Sequence, residues 1–202
     1  MAPFIVIEGI DGCGKGTQAR LLFEYLKEKG REPKLTAEPT KGPIGKLIRE
    51  HMASPFLDDK TLALMFAGDR IEHLDKEVVP ALENDHPVIS DRYVYSSIAY
   101  QGQTIDIDWV AEINSYADKP DLAILLDVSP SLARRRMRER GDDFEYFEED
   151  EDFQEGVRKS FMELSRGRHL PESLKTKWLV IDGSLRKVEI ADKIRDAVDS
   201  LF

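Results

Sequence analysis

Cysteine is nearly absent: Cys13 is the only one in 202 residues, so no disulfide can form within the chain, and a reducing compartment such as the cytoplasm is expected. Long apolar runs are missing too. No stretch of about 18 apolar residues and no basic, apolar, small-residue leader is present, so neither a membrane span nor a secretory signal is expected. Positive charge is in deficit, with 29 Lys and Arg against 39 Asp and Glu and a net charge of -10, which argues against general attraction to nucleic acid or an anionic membrane. Any bound anion must then be met by local arginines and lysines. No repeat or low-complexity linker divides the chain, and its length suffices for one full core, so a single domain over 1–202 is expected.

What the chain does have is concentrated in residues 4–20, F-I-V-I-E-G-I-D-G-C-G-K-G-T-Q-A-R. Phe4, Ile5, Val6 and Ile7 form a short apolar run suited to a strand buried on both faces, and Gly9, Gly12 and Gly14 break it before a helical pattern begins. Gly9, Gly14 and Lys15 meet the spacing G-x-x-x-x-G-K of a phosphate-binding loop. Glycines there let backbone N–H groups close on phosphate oxygens while the next helix aims its positive end at them. Gly9, Ile10, Asp11, Gly12, Cys13, Gly14, Lys15, Gly16 and Thr17 are the candidate ATP-binding residues, with Lys15 expected to stand exposed among the glycines. The hydroxyl that usually follows the lysine comes one position late, at Thr17, because Gly16 intervenes.

Further along, Ala19, Leu22, Phe23 and Leu26 space an amphipathic helix over 15–29, closed by Gly30. A weak strand over 34–37 leads into the loop E-P-T-K-G-P, and a short helix carries Ile44, Leu47 and Ile48. Asp58 and Asp59 can cap a long helix over 60–84 whose apolar positions are Leu62, Met65, Phe66, Ile71, Leu74 and Val78, with Pro80 expected to kink or break it. A very short strand over 87–90 ends in Asp91-Arg92-Tyr93, where a parallel sheet opens to ligand. Helices over 93–101 and 106–117, a strand over 121–128, an arginine-dense helix from Ser129 to its stop at Gly141, and an acidic stretch follow. The segment at about 136–152 is expected to be a mobile flap, or LID. A helix with Val157, Phe161 and Leu164, a strand over 178–181 and a terminal helix complete the pattern. Strands alternating with helices predict an α/β fold: a five-stranded parallel sheet with helices on both faces.

Phosphoryl transfer needs alignment of donor and acceptor, neutralised oxygen charge and excluded water rather than covalent help. Lys15 and the loop amides can hold donor phosphates, Asp11 and Asp91 can hold magnesium or sugar hydroxyls, and Arg92 can clamp an acceptor phosphate. Taken singly, each has a plainer reading. Asp91 and Arg92 can be a surface ion pair, Phe66 and Arg70 a core aromatic and a solvated charge, and the arginines from Arg134 to Arg140 a solvated face with Asp142, Asp143 and Glu139 as ready partners. Their order behind a phosphate loop favours the functional reading.

That order resembles the thymidylate kinase family, a P-loop nucleoside monophosphate kinase group. The resemblance rests on V-I-E-G-I-D-G-C-G-K-G-T-Q, E-P-T-K-G-P-I-G-K-L-I, L-M-F-A-G-D-R, D-R-Y-V-Y-S-S-I-A-Y-Q, P-D-L-A-I-L-L-D-V and R-M-R-E-R-G, spanning nearly the whole chain. It implies a P-loop NTPase fold, transfer of the γ-phosphoryl group of ATP to thymidine monophosphate in deoxythymidine nucleotide synthesis, magnesium as cofactor, and a homodimer. By the same resemblance Arg92 binds the acceptor phosphate, Phe66 stacks on thymine, Arg70 and Ser97 contact the base, Tyr100 crowds the ribose 2′ position, and Gln101 belongs to the acceptor set. Asp11, Thr17 and Asp91 are the metal candidates. Some members carry arginine where this chain has Gly12, so Arg136, Arg138 and Arg140 are the candidate catalytic guanidiniums, and Lys41 substitutes for an arginine in the E-P loop. The alternatives left open are another nucleoside monophosphate or deoxynucleoside kinase and a regulatory nucleotide switch, although no guanine-reading N-K-x-D segment is present.

Overall fold

The computed structural model describes residues 2–141 and 150–202. A β-branched run without a polar face must lie between two layers, and β1 (Phe4–Glu8) is buried along its whole length. It pairs in parallel with β3 (Val88–Asp91) on one side and β4 (Leu122–Asp127) on the other, so that Ile5 stands opposite both Ile89 and Leu122. β2 (Lys34–Ala37) and β5 (Lys177–Asp182) form the edges of a five-stranded sheet in the order β2-β3-β1-β4-β5. The edges are half solvated, as their mixed sequences require. This is the expected parallel sheet with helices on both sides.

α1 (Lys15–Glu28) springs from the glycine loop and buries Gln18, Ala19, Leu22 and Leu26. Phe23, expected in the same stripe, is only half-buried. α1 packs on α9 (Lys187–Asp199). A second group packs together elsewhere: α5 (Val94–Gln101) against α6 (Ile107–Ile113) and α8 (Glu151–Leu164), and α7 (Pro130–Arg140) against α8. α2 (Pro43–Ala53) lies on α3 (Asp59–His73), which in turn reaches α5 and α6. Asp58 caps α3, its carboxylate accepting from Lys60 N–H at 3.1 Å and Thr61 N–H at 3.0 Å, which satisfies two of the donors left open at the helix start.

The long helix expected over 60–84 is divided. α3 gives way to a wide π turn (Leu74–Val78) before α4 (Val79–Glu83). Pro80 explains the change, since it has no N–H for the carbonyl four residues back and its ring would press on that carbonyl, so the backbone widens instead of breaking. Ile71, expected among the apolar positions, is 47% exposed, and Leu64, seven residues earlier on the same face, is 52% exposed. α6 also stops short of its expected end, because Asn114 leaves the helix and turns its side chain toward α3. Gly141 ends α7 in the left-handed region, as expected, with φ +75°. Residues 142–149 of the expected flap lie outside the described residues.

Candidate active site

The sheet order places the loop after β1 between the carboxyl ends of β3 and β4, the crevice where open α/β sheets bind ligands. Gly12, at φ +79°, packs so closely on α7 that a Cβ there would stand 2.5 Å from the carbonyl oxygen of Ala133. No side chain fits, and an arginine least of all. Lys15 is buried, which corrects the expectation that it stands exposed. Its ammonium donates to the Gly9 and Ile10 carbonyls at 2.8 and 3.0 Å and lies 3.7 Å from Asp11, because a charge drawn under the glycine turn must find oxygens.

Two cavities meet at this loop, and Asp11 and Arg92 line both. Arg92 Nη2 is in short contact with Asp11 Oδ1, and Tyr100 Oη donates to Asp11 Oδ2 at 2.8 Å. Burial raises the Asp11 pKa, but the charges of Arg92 and Lys15 and the bonds from Arg92 and Tyr100 outweigh it and hold the carboxyl well below the usual range. Its side chain is a quarter exposed, so solvent screens part of that attraction. The Arg92 guanidinium also lies over the Tyr100 ring, 5.1 Å from its centroid. Burial pushes the Tyr100 hydroxyl well above its ordinary pKa, and the neighbouring Asp11 charge adds to the rise, so it remains a donor.

The first cavity runs from this junction to Phe66, Arg70, Ser97 and Gln101, so the structure brings together the residues named for the acceptor except Lys41, which is exposed and lines neither cavity. Arg70, expected as a contact for a ligand, is held in a network. Its Nε and Nη2 donate to Glu38 Oε2 at 3.0 and 2.7 Å, Nη2 also donates to Ser97 Oγ at 2.9 Å, and Nη1 meets Asn114 Oδ1. Of the five N–H donors of a guanidinium, these bonds engage four, leaving one Nη1–H among the described residues. Behind it, His73 Nδ1 lies 3.0 Å from Glu38 Oε1, and His73 Nε2 lies 2.7 Å from Thr36 Oγ1. Gln101 Oε1, in the same cavity, is buried with no hydrogen-bond partner among the described residues.

The second cavity, about 690 Å³ and within the range typical of ligand sites, is lined by Lys15, Thr17, Asp91 and Arg140. Of the arginine run, Arg140 reaches this cleft, Arg136 Nη1 donates to the Cys13 carbonyl at 3.4 Å, and Arg138 lines neither cavity. Arg134 pairs with Glu151 at 3.2 Å.

Several lining residues escaped the sequence reading. Arg20 and Lys187 line the phosphate cleft, and Phe153 of α8 adds a second aromatic to the first cavity. Glu38 was visible only as the start of the E-P loop, and Asn114 carried no signal. That loop is also not without a guanidinium: Arg49, a turn and a half into α2, donates to the Pro39 carbonyl at 2.9 Å.

A family model described as thymidylate kinase matches residues 7–194 of the chain. The chain is 45% identical over 169 residues to a probable thymidylate kinase of Pyrococcus horikoshii, covering 80% of this chain and 82% of that protein. It is 44% identical over 211 residues to a probable thymidylate kinase of Methanococcus maripaludis, covering 98% of this chain and 100% of that protein.

Proposed function

The chain belongs to the thymidylate kinase family, and from that premise we infer that it transfers the γ-phosphoryl group of ATP to thymidine monophosphate, giving thymidine diphosphate and ADP. The observation that carries this reading is the meeting of two cavities at Asp11 and Arg92, one beginning at the phosphate loop and the other ending at Arg70. A donor phosphate on the loop and an acceptor phosphate on Arg92 would face each other there.

The attacking oxygen belongs to a phosphate monoester with a second pKa near about 6, so it is already anionic at neutral pH and needs no protein base. Asp11 is accordingly read as a brace: ionised, it aims Arg92 and holds the Tyr100 hydroxyl beside the sugar. Lys15 exchanges its loop carbonyls for phosphate oxygens when ATP binds, and Arg140, with Arg136 and Arg138 as the other candidates, supplies guanidinium charge to the transferring group. Phe66 stacks on the base. The single spare Nη1–H of Arg70 suits a ring carbonyl, and the unpartnered Gln101 oxygen suits a ring N–H, so a 4-oxo pyrimidine is favoured over one with an amino group in that place.

Magnesium fits the phosphate cleft. Asp91 Oδ1 is buried without a hydrogen-bond partner among the described residues, and its other oxygen would stand 3.0 Å from a Cβ placed at Gly16, so a carboxylate with room to accept overhangs the loop. Among the described residues no group of three or more His, Cys, Asp or Glu is arranged to hold a metal, consistent with an ion held by Asp91, Thr17 or Asp11 together with ATP phosphates and water. Held there with ATP, the ion would supply neutralisation of phosphate charge.

The chain is read as a single domain in which α7 carries Arg140 to the cleft. A homodimer is read from the exposed apolar side chains Leu64 and Ile71, which share the face of α3 turned away from the cavity-lining Leu62, Phe66 and Arg70 and suit a second copy of that face. A cytoplasmic setting is supported by the free, buried thiol of Cys13. No helix among the described residues is long and apolar enough to cross a membrane.

The test is an acceptor panel at fixed ATP, followed by ADP release. Thymidine monophosphate should give the highest kcat/KM, with the cytidine, guanosine and adenosine monophosphates at least about 100-fold lower, as for a site whose polar groups would be left unpaired. A better acceptor among those three would overturn the reading.

A further inference from the structure

Glu8 is the last residue of β1, and its fully buried carboxyl has no part in the reaction described above. It lies beneath the turn that presents Arg92. That turn is strained, because Arg92 sits at φ +70° in the left-handed region, uncommon for a side chain of this kind. The backbone around it is pinned at successive points. Arg92 N–H donates to the Ile7 carbonyl at 3.0 Å, Ser90 Oγ donates to the Arg92 carbonyl at 2.7 Å, and the following amide, Tyr93 N–H, donates to Glu8 Oε1 at 2.9 Å. The other carboxyl oxygen, Glu8 Oε2, accepts from Ser96 Oγ at 2.6 Å, and Ser96 Oγ in turn lies 3.4 Å from Arg92 Nη1. One side chain thus holds both the backbone behind Arg92 and the hydroxyl beside its guanidinium.

We propose that Glu8 is a positioning residue for the acceptor phosphate, acting through Arg92: it locks the left-handed turn and, by way of Ser96, the direction of the guanidinium. This rests on the reading of Arg92 as the ligand of that phosphate. The rest of β1 is apolar, so packing alone would call for an apolar side chain at its end too. A carboxyl has instead been taken out of water and both of its oxygens directed at one segment, 93–96, which is costly unless the position of that segment matters. Burial raises the Glu8 pKa to about 7, against the Ser96 bond and the nearby charges of Arg92 and Lys15, with Glu38 adding to the rise. Both protonation states keep the clamp. The carboxylate accepts from Ser96, whereas the acid donates to it, and a glutamine amide can do the same.

The test is a double-mutant cycle read as KM for each substrate. Arg92→Ala alone should raise KM for thymidine monophosphate at least about 10-fold; if it does not, the reading of Arg92 fails, and this proposal with it. Glu8→Ala should raise the same KM at least about 10-fold while changing KM for ATP less than about 2-fold, and Glu8→Gln should restore it to within about 3-fold. In the Arg92→Ala background, Glu8→Ala should add less than about 2-fold, because its effect passes through the guanidinium. Additive effects, or equal changes in both KM values, would show a merely structural carboxyl and overturn the proposal while leaving Arg92 in place. Should Glu8→Ala fail to fold, the cycle is run with Ser96→Ala, which removes only the hydroxyl between Glu8 and Arg92, and the same additivity criterion decides.

Discussion

The two cavities are built in opposite ways. The side chains that hold Arg70 are buried, and its four guanidinium bonds reach three different parts of the fold: two go to Glu38 after β2, one to Ser97 on α5 and one to Asn114 at the end of α6. Around Lys15 the cleft is wide, its lysine is turned onto the loop's own carbonyls, and Arg20, Thr17 and Arg140 are exposed. A site that must choose one base from several is built in advance, so that the wrong base leaves a desolvated group unpaired. A site that takes a common phosphate chain gains its charge only when ligand arrives, and its interactions can be kept for the transition state.

The comparison breaks first at Lys15. Lys15→Ala should lower kcat at least about 1,000-fold, because charge on the transferring group is lost, yet should leave thermal unfolding changed by only a few degrees, since the ammonium is held by two loop carbonyls and by an Asp11 that lies 3.7 Å away and is already paired with Arg92. A large loss of stability with kcat preserved would mean that this cleft, too, is built in advance.

Glu38→Ala should do the reverse. Removing one partner of a buried pair strands Arg70 and should cost about 3–5 kcal/mol in denaturant unfolding, whatever it does to turnover. An unfolding midpoint unchanged by that substitution would mean that the Arg70 network does not hold the cavity together.

Among the arginines, Arg140→Ala should reduce kcat roughly 100-fold with little change in either KM, and Arg136→Ala and Arg138→Ala should cost less. Normal turnover in all three would remove this helix from catalysis. Phe66→Ala should raise KM for thymidine monophosphate several-fold and leave KM for ATP nearly unchanged, stacking being worth about 1 kcal/mol beyond area. Equal effects on both, with lowered stability, would mark Phe66 as core.

The smallest effect expected is in pH. The folded Glu8 binds its proton more tightly than the unfolded carboxyl of pKa 4.5, so its contribution to stability is full below pH 4.5 and declines until about pH 7. Asp11, shifted downward, stays ionised in both states across that window and adds no slope there. The melting temperature of Glu8→Gln should therefore fall less, or rise more, than that of the unaltered protein between pH 5 and about 7. Parallel curves would show that Glu8 does not titrate in that range.

How much of this could be read from the chain depended on distance along it. The strands, their order of appearance and the phosphate loop were legible because each is written in fewer than about fifteen consecutive residues: apolar run, glycines, lysine, helical spacing. Asp91, Arg92, Ser97 and Tyr100 were legible as one motif ending in α5. The burial of Lys15 was not, because it depends on which carbonyls the loop turns inward. Nor were Asn114, which meets the Arg70 guanidinium from 44 residues further along, and Phe153, which reaches the acceptor cavity from α8. The π turn ahead of Pro80 was half legible: the proline announced a disturbance, but whether the helix broke or widened depended on its packing.

The contact between Gly12 and Ala133 bears on how such enzymes can change. Two arrangements for supplying guanidinium charge, from the loop or from α7, are separated here by more than one substitution. Gly12→Arg would place a side chain at φ +79° and drive it into the Ala133 carbonyl, so it should damage the phosphate loop before it could help catalysis. α7 would have to move outward first, and moving α7 would carry away Arg136 and Arg140, the charges that the new arginine would replace. Each intermediate along that route is worse than either end, and a laboratory lineage started from this chain should therefore keep its arginines on α7.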